Sequence, residues 1–103
     1  MDYQLVIKLW RKSLADEAFL ASIESELQAA LGDSVELEGH DVGPKEINFF
    51  MLSADPRSAF RKARGVLERR GITNGVSAAF RNTGGAQFTS IWPLRAMRKF
   101  KLP

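Results

Sequence analysis

The sequence predicts an α+β fold, and three features carry the prediction. Tyr3 to Trp10 and Ile47 to Leu52 alternate with a period of two, the signature of strands. Leu20, Ile23, Leu27 and Leu31, and later Phe60, Ala63 and Leu67, recur instead at helical spacing. Gly43-Pro44 and Gly84-Gly85 supply turns between neighbouring strand-like segments. With 103 residues, 45% of them hydrophobic, the chain is expected to form one domain around one modest core.

The first strand sets Leu5, Ile7 and Leu9 against Val6 and Trp10, so both of its faces are partly apolar and a central place in a sheet is expected. Helix one is expected roughly from Leu14 to Leu31. Ser13 precedes it, Asp16 and Glu17 suit its positive end, and Gly32 is a left-handed stop. Val35-Glu36-Leu37-Glu38 alternates as a second strand, joined as a hairpin through Gly43-Pro44 to the third. Asp55 followed by Pro56 begins helix two: the carboxylate accepts a backbone N–H, and proline loses nothing at the first helical position. Gly71 ends that helix, with Arg69 and Arg70 where its dipole favours cations. Gly65, about 1 kcal/mol less favourable than alanine in a helix interior, is read as a point of close helix packing. Val76 to Arg81 and Phe88 to Trp92 are the fourth and fifth strands, and Pro93 stops the last. Residues 1–93 then form the domain, and 94–103 a basic amphipathic tail.

This order is the split βαβ, or ferredoxin-like, pattern: an antiparallel sheet with both helices on one face, here with an added C-terminal strand and with strands one and three central. The other sheet face is left open. It is expected to carry Val6, Lys8, Trp10, Glu36, Glu38, His40, Asn48, Phe50 and Leu52.

Composition removes several function classes. The chain has no cysteine, hence no disulfide, thiolate metal site or cysteine nucleophile. With His40 as its one histidine, a zinc site of the usual nitrogen and sulfur kind is not expected, nor is any cofactor. No apolar run approaches the roughly 20 residues that span a bilayer, and Met1 leads into the first strand without the features of an export signal, so a cytoplasmic protein is expected. Charge is divided unevenly. Through Ala54 ten acids face four lysines and arginines, a net −6; from Asp55 onward eleven cations face two acids, a net +9. Such a split fits an acidic partner for the second half or mutual neutralisation across the fold.

Gly39-His40-Asp41-Val42-Gly43, then Glu46-Ile47-Asn48-Phe49-Phe50, then Asp55-Pro56 and Phe60 resemble a group of small, largely uncharacterised bacterial ferredoxin-like proteins. The resemblance covers most of the chain except the tail and implies no established activity. A looser, architectural likeness is to bacterial immunity proteins, which neutralise the toxins of competitors.

Four candidate surfaces follow. Asp41, Glu46 and His40 form a polar group at the hairpin, but no motif couples a nucleophile to a base, and no catalytic residue is assigned. Glu46 is expected to pair with a neighbour such as Lys8. Asp41 shares the parity of Val35 and Leu37, and so points inward unless Gly39 makes a bulge. Asn48 either reads a partner or ties down the Gly43-Pro44 turn. Trp10, Phe50 and Leu52 make an apolar patch that meets another chain or is covered by the tail through Met97, Phe100 and Leu102. Arg57, Arg61 and Arg64, with Arg98 and Lys99 of the tail, are candidate nucleic-acid contacts. The third strand keeps the leading Lys45 and an aromatic Phe49 of an RNA-recognition strand, but Ile47 stands where an aromatic would stack and both glycines are missing.

The expectation is therefore a non-enzymatic protein-binding domain, with a bacterial immunity or inhibitor role as its most concrete form. Trp10, His40, Asn48 and Phe50 would form the interface, and Glu36 and Glu38 would steer a basic partner, a toxin or a second copy of the chain. The alternatives are nucleic-acid binding through the second helix and tail, a small-ligand-binding dimer, and an enzyme at the hairpin.

Overall fold

A computed structural model describes residues 2–14 and 16–93. Arg98, Lys99 and the tail expected to cover the sheet lie outside those residues. The elements run β1 (Tyr3–Trp10), a short 3-10 turn (Arg11–Ser13), α1 (Glu17–Leu31), β2 (Val35–Val42), β3 (Glu46–Ser53), α2 (Pro56–Arg69), β4 (Ser77–Asn82) and β5 (Thr89–Trp92). The five strands form one antiparallel sheet in the order β2-β3-β1-β4-β5. The two-sided strand β1 lies at its centre.

The core is built where the helical stripes meet one sheet face. Leu5, Ile7 and Leu9 of β1 and Ile47, Phe49 and Met51 of β3 pack with Leu20, Ile23 and Leu27 of α1 and Phe60, Ala63 and Leu67 of α2. Burying side chains of this size stabilises by about 1.5–3 kcal/mol each, so the period-two and helical patterns together specify which way each element faces.

Helix α1 starts later than the spacing predicts. Leu14 drops into the core from the 3-10 turn, and Asp16 is the cap, its Oδ1 accepting the Phe19 N–H at 2.8 Å. Asp16→Ala should lower stability by about 1 kcal/mol; an unchanged denaturation midpoint would contradict this role. At α2 the expected cap holds, with Asp55 accepting from Ser58 N at 3.2 Å and Pro56 opening the helix. Gly65 marks no tight helix contact: a Cβ there would meet only Arg69 Nη1 at 3.7 Å.

The β2–β3 hairpin corrects the sequence reading most. Leu37 pairs with Met51 but Gly39 pairs with Phe50, so the register slips by one residue, and Gly39 takes φ +124°. A one-residue slip exchanges the faces of everything after it. His40 therefore moves off the face of Trp10, to the helix side opposite Phe49, and Asp41 moves outward, opposite Asn48, where it is exposed. Strand β2 runs to Val42, up to the Gly43-Pro44 turn, and its second half is largely exposed.

Candidate functional site

The sheet face away from the helices is not an open apolar patch. Val6, Asn48 and Ala79 on that face are solvent-inaccessible, and Phe50 and Leu52 are half-buried. Polar side chains knit its surface: Gln4 donates to Glu38 at 3.0 Å, and Arg81 donates to Gln4 at 2.8 Å and to the Gly85 carbonyl at 3.1 Å. Glu36 is exposed but stands opposite Leu52, six residues along β3 from the Trp10–Glu46 pair, which is about 20 Å at strand rise. The expected interface of Trp10, Glu36, Glu38, His40, Asn48 and Phe50 is thus not one surface. His40 is on the other side, Asn48 is buried, and Glu36 is at the far end.

Asn48 does not tie down the hairpin turn either. Its Oδ1 and Nδ2 are both buried without a hydrogen-bond partner among the described residues. The turn closes through backbone, Gly43 N donating to the Glu46 carbonyl at 2.8 Å. Glu46 Oε2 lies 3.0 Å from Lys8 Nζ, the expected neighbour; the contact is an ion pair by distance but is not aligned as a hydrogen bond.

What remains accessible gathers at the hairpin end of the sheet. Among the described residues the large hydrophobic side chains most exposed are Trp10, at 47%, and Val42, at 46%. Trp10 is held although exposed. Gly75, at φ +73°, lies against it so closely that a Cβ would come within 2.5 Å of Cδ2, Cγ and Cε3, with the ring-fusion atom Cδ2 nearest. A group nearest a fusion atom sits over the face of the indole, not at its edge. Lys12 Nζ lies over the ring as well, 4.6 Å from its centroid, a cation–π contact worth about 0.5–1 kcal/mol where exposed.

An open groove of about 700 Å³ runs beside Trp10, between the 3-10 turn and the β2–β3 turn. Arg11, Lys12 and Lys45 line it with Pro44 and Glu46. Its walls are joined: Arg11 N donates to the Lys45 carbonyl at 2.9 Å, and Arg11 Nη1 to the Gly43 carbonyl at 3.3 Å. A second hollow of about 430 Å³ lies behind it, shares Arg11 and Leu14, and holds His40 and Val42. There His40 Nδ1 is 2.8 Å from Glu24 Oε1, linking β2 to α1.

The polar trio at the hairpin is divided among these places. Glu46 lines the first groove, His40 the second, and Asp41 neither. Among the described residues no group of three or more His, Asp or Glu is placed to hold a metal ion, and no helix is long and apolar enough to cross a membrane.

Four arginines of the second half, Arg57, Arg64, Arg70 and Arg81, are engaged with aromatic rings or polar partners. Arg64 lies 3.8 Å over the Trp92 ring and pairs with Glu68, and Arg57 lies 5.4 Å over Phe80. Arg70 stacks 5.0 Å over Phe19 and pairs with Glu26, joining α2 to the acidic α1. Arg61 and Lys62 are exposed. The sequence reading missed Gly75 and Pro44 as parts of a site, because their roles come from contacts made by chain segments distant in sequence. No family model, curated protein or solved structure matches the chain.

Proposed function

We propose that this domain works by binding another protein at the hairpin end of its sheet, with Trp10 as the anchor. The observation that carries the reading is Trp10 itself: a large aromatic side chain, half exposed, yet held by contacts with Gly75 and Lys12. Aromatic anchors dominate protein interfaces, and one ordered before binding loses little entropy on association. Val42 and the second hollow lie at the same end but on the helix side, opposite Ile47, and Arg11 and Leu14 join that hollow to the groove beside Trp10, so a partner that wraps this end can reach both.

The strand order β2-β3-β1-β4, with the helices between β1 and β2 and between β3 and β4, supports a ferredoxin-like reading extended by β5. A bacterial immunity or inhibitor role, which rests on the looser architectural likeness to immunity proteins, is the most concrete form of this function. The arginines of α2 are a weaker basis for nucleic-acid binding, because Arg57 and Arg64 are already held on aromatic rings.

Affinity capture from the native host, with and without nuclease and at low and high salt, tests the reading. A protein retained through nuclease and high salt by the parent chain, and lost about tenfold or more with Trp10→Ala, is the expected result. Capture of nucleic acid that falls away with salt, unaffected by Trp10→Ala, would overturn it.

A further inference from the structure

We infer that the groove beside Trp10 takes an acidic, apolar segment of the partner protein; this rests on the protein-binding reading above and gives the partner its chemistry. Three cations, Arg11, Lys12 and Lys45, line the groove against one carboxylate, Glu46. That carboxylate is engaged by Lys8 at 3.0 Å, which leaves the lining electropositive. Trp10, Leu14 and Pro44 supply the apolar part of the same surface. Carboxylates placed between apolar side chains complement this arrangement in both respects, and complementary charge at an interface sets specificity and speeds encounter.

The sign of this surface is opposite to that of the chain's first half as a whole. Net charge through Ala54 is −6, yet three of the four cations in that half, Arg11, Lys12 and Lys45, meet at the groove. The fold therefore concentrates scarce positive charge at the end where, among the described residues, an aromatic anchor is exposed. The groove is also formed in advance, since backbone hydrogen bonding from Arg11 to Lys45 and the Arg11 side chain on the Gly43 carbonyl hold its walls together. Little ordering remains to be done on binding.

A single-stranded nucleic acid would also be drawn by these cations, but it gains most of its sequence-tolerant affinity by stacking bases on aromatic faces. Gly75 covers one face of the Trp10 indole, and Lys12 lies over the ring. The exposed part of the indole is thus suited to an aliphatic or aromatic side chain approaching its edge, with Lys12 positioned to meet a carboxylate beside it.

The test uses the full chain and three fluorescent probes of equal length: a peptide alternating glutamate with leucine and phenylalanine, the same peptide with lysine for glutamate, and an oligothymidylate. Binding is read by anisotropy for the parent, for Trp10→Ala, and for the double variant Lys12→Glu with Lys45→Glu. Both lysines are exposed, so the charge reversal should leave the fold intact, and a denaturation curve checks it. The acidic peptide should bind the parent and lose about tenfold or more in affinity with either variant. The lysine peptide should bind the charge-reversed variant in its place. Failure of the acidic peptide to bind, equal binding to the charge-reversed variant, or tighter, Trp10-dependent binding of the oligothymidylate would overturn the inference. Cellular capture separates this from the broader reading: a partner whose retention needs Trp10 but ignores the charge reversal leaves protein binding standing and removes only the acidic chemistry.

Discussion

Gly75→Ala should destabilise the domain by roughly 2–5 kcal/mol and move the Trp10 indole. Two costs add. A left-handed backbone costs a non-glycine residue about 1–2 kcal/mol, and Gly75 sits at φ +73°. Forcing an extra methyl into an occupied space costs about 1–3 kcal/mol more, and the space is occupied here by the indole face of Trp10. Gly71→Ala is the matched control, because Gly71 has φ +80° but nothing within 4 Å of its Cβ position. It should show the backbone cost alone. The difference between the two variants, measured by chemical denaturation, isolates the Gly75–Trp10 contact, and tryptophan emission should shift in Gly75→Ala only. Equal destabilisation with unchanged emission would mean that the indole does not rest on Gly75 in solution.

Asn48→Leu should act in the other direction and stabilise the domain by about 1–3 kcal/mol. An amide that is buried with no partner for its oxygen or nitrogen bears its desolvation cost uncompensated. Asn48 is at 0% exposure and is flanked across the strands by Lys8 and Asp41. Leucine keeps the heavy-atom count and branching of asparagine and removes the unmet polar atoms, while the neighbouring side chains must shift to admit its bulkier methyl groups. At the usual conversion for a domain of this size, each kcal/mol gained should raise the melting temperature by about 4–8 °C. A fall in melting temperature would show that the amide is hydrogen-bonded in solution. Because Asn48 is sealed from solvent, the same substitution should leave partner binding at Trp10 unchanged.

Much of the architecture was legible because local and long-range signals agree. Leu5, Ile7 and Leu9 alternate in sequence and face the same core, and Asp55-Pro56 begins a helix by its own chemistry. The helix that spacing alone placed from Leu14 instead starts at Glu17, since Leu14 is needed in the core by the turn before it. His40 was assigned to the wrong face because period-two reasoning carries no memory of an inserted residue; Asp41, expected inward unless Gly39 makes a bulge, faces outward because the register slips there.

The candidate site was only half legible. Trp10 stood out as an aromatic residue on a strand, and the pairing of Glu46 with Lys8 followed from their neighbouring strands. That Gly75 would lie beneath the indole could not be read, since the two positions are far apart in the chain and the contact depends on the loop before β4. Likewise the basic character of the groove was masked by an acidic first half, and the arginine run of α2 drew attention to a surface whose Arg57 and Arg64 lie over aromatic rings.

Site-specific photo-crosslinking in the native host tests the central claim most directly. A photoreactive side chain is placed at Val42, exposed at the hairpin end, or at Arg61, exposed on α2. The account predicts a discrete protein adduct from position 42 that disappears when Trp10→Ala is added, and none from position 61. A protein or nucleic-acid adduct formed from position 61 and independent of Trp10, with position 42 silent, would contradict it and move the function to the second helix.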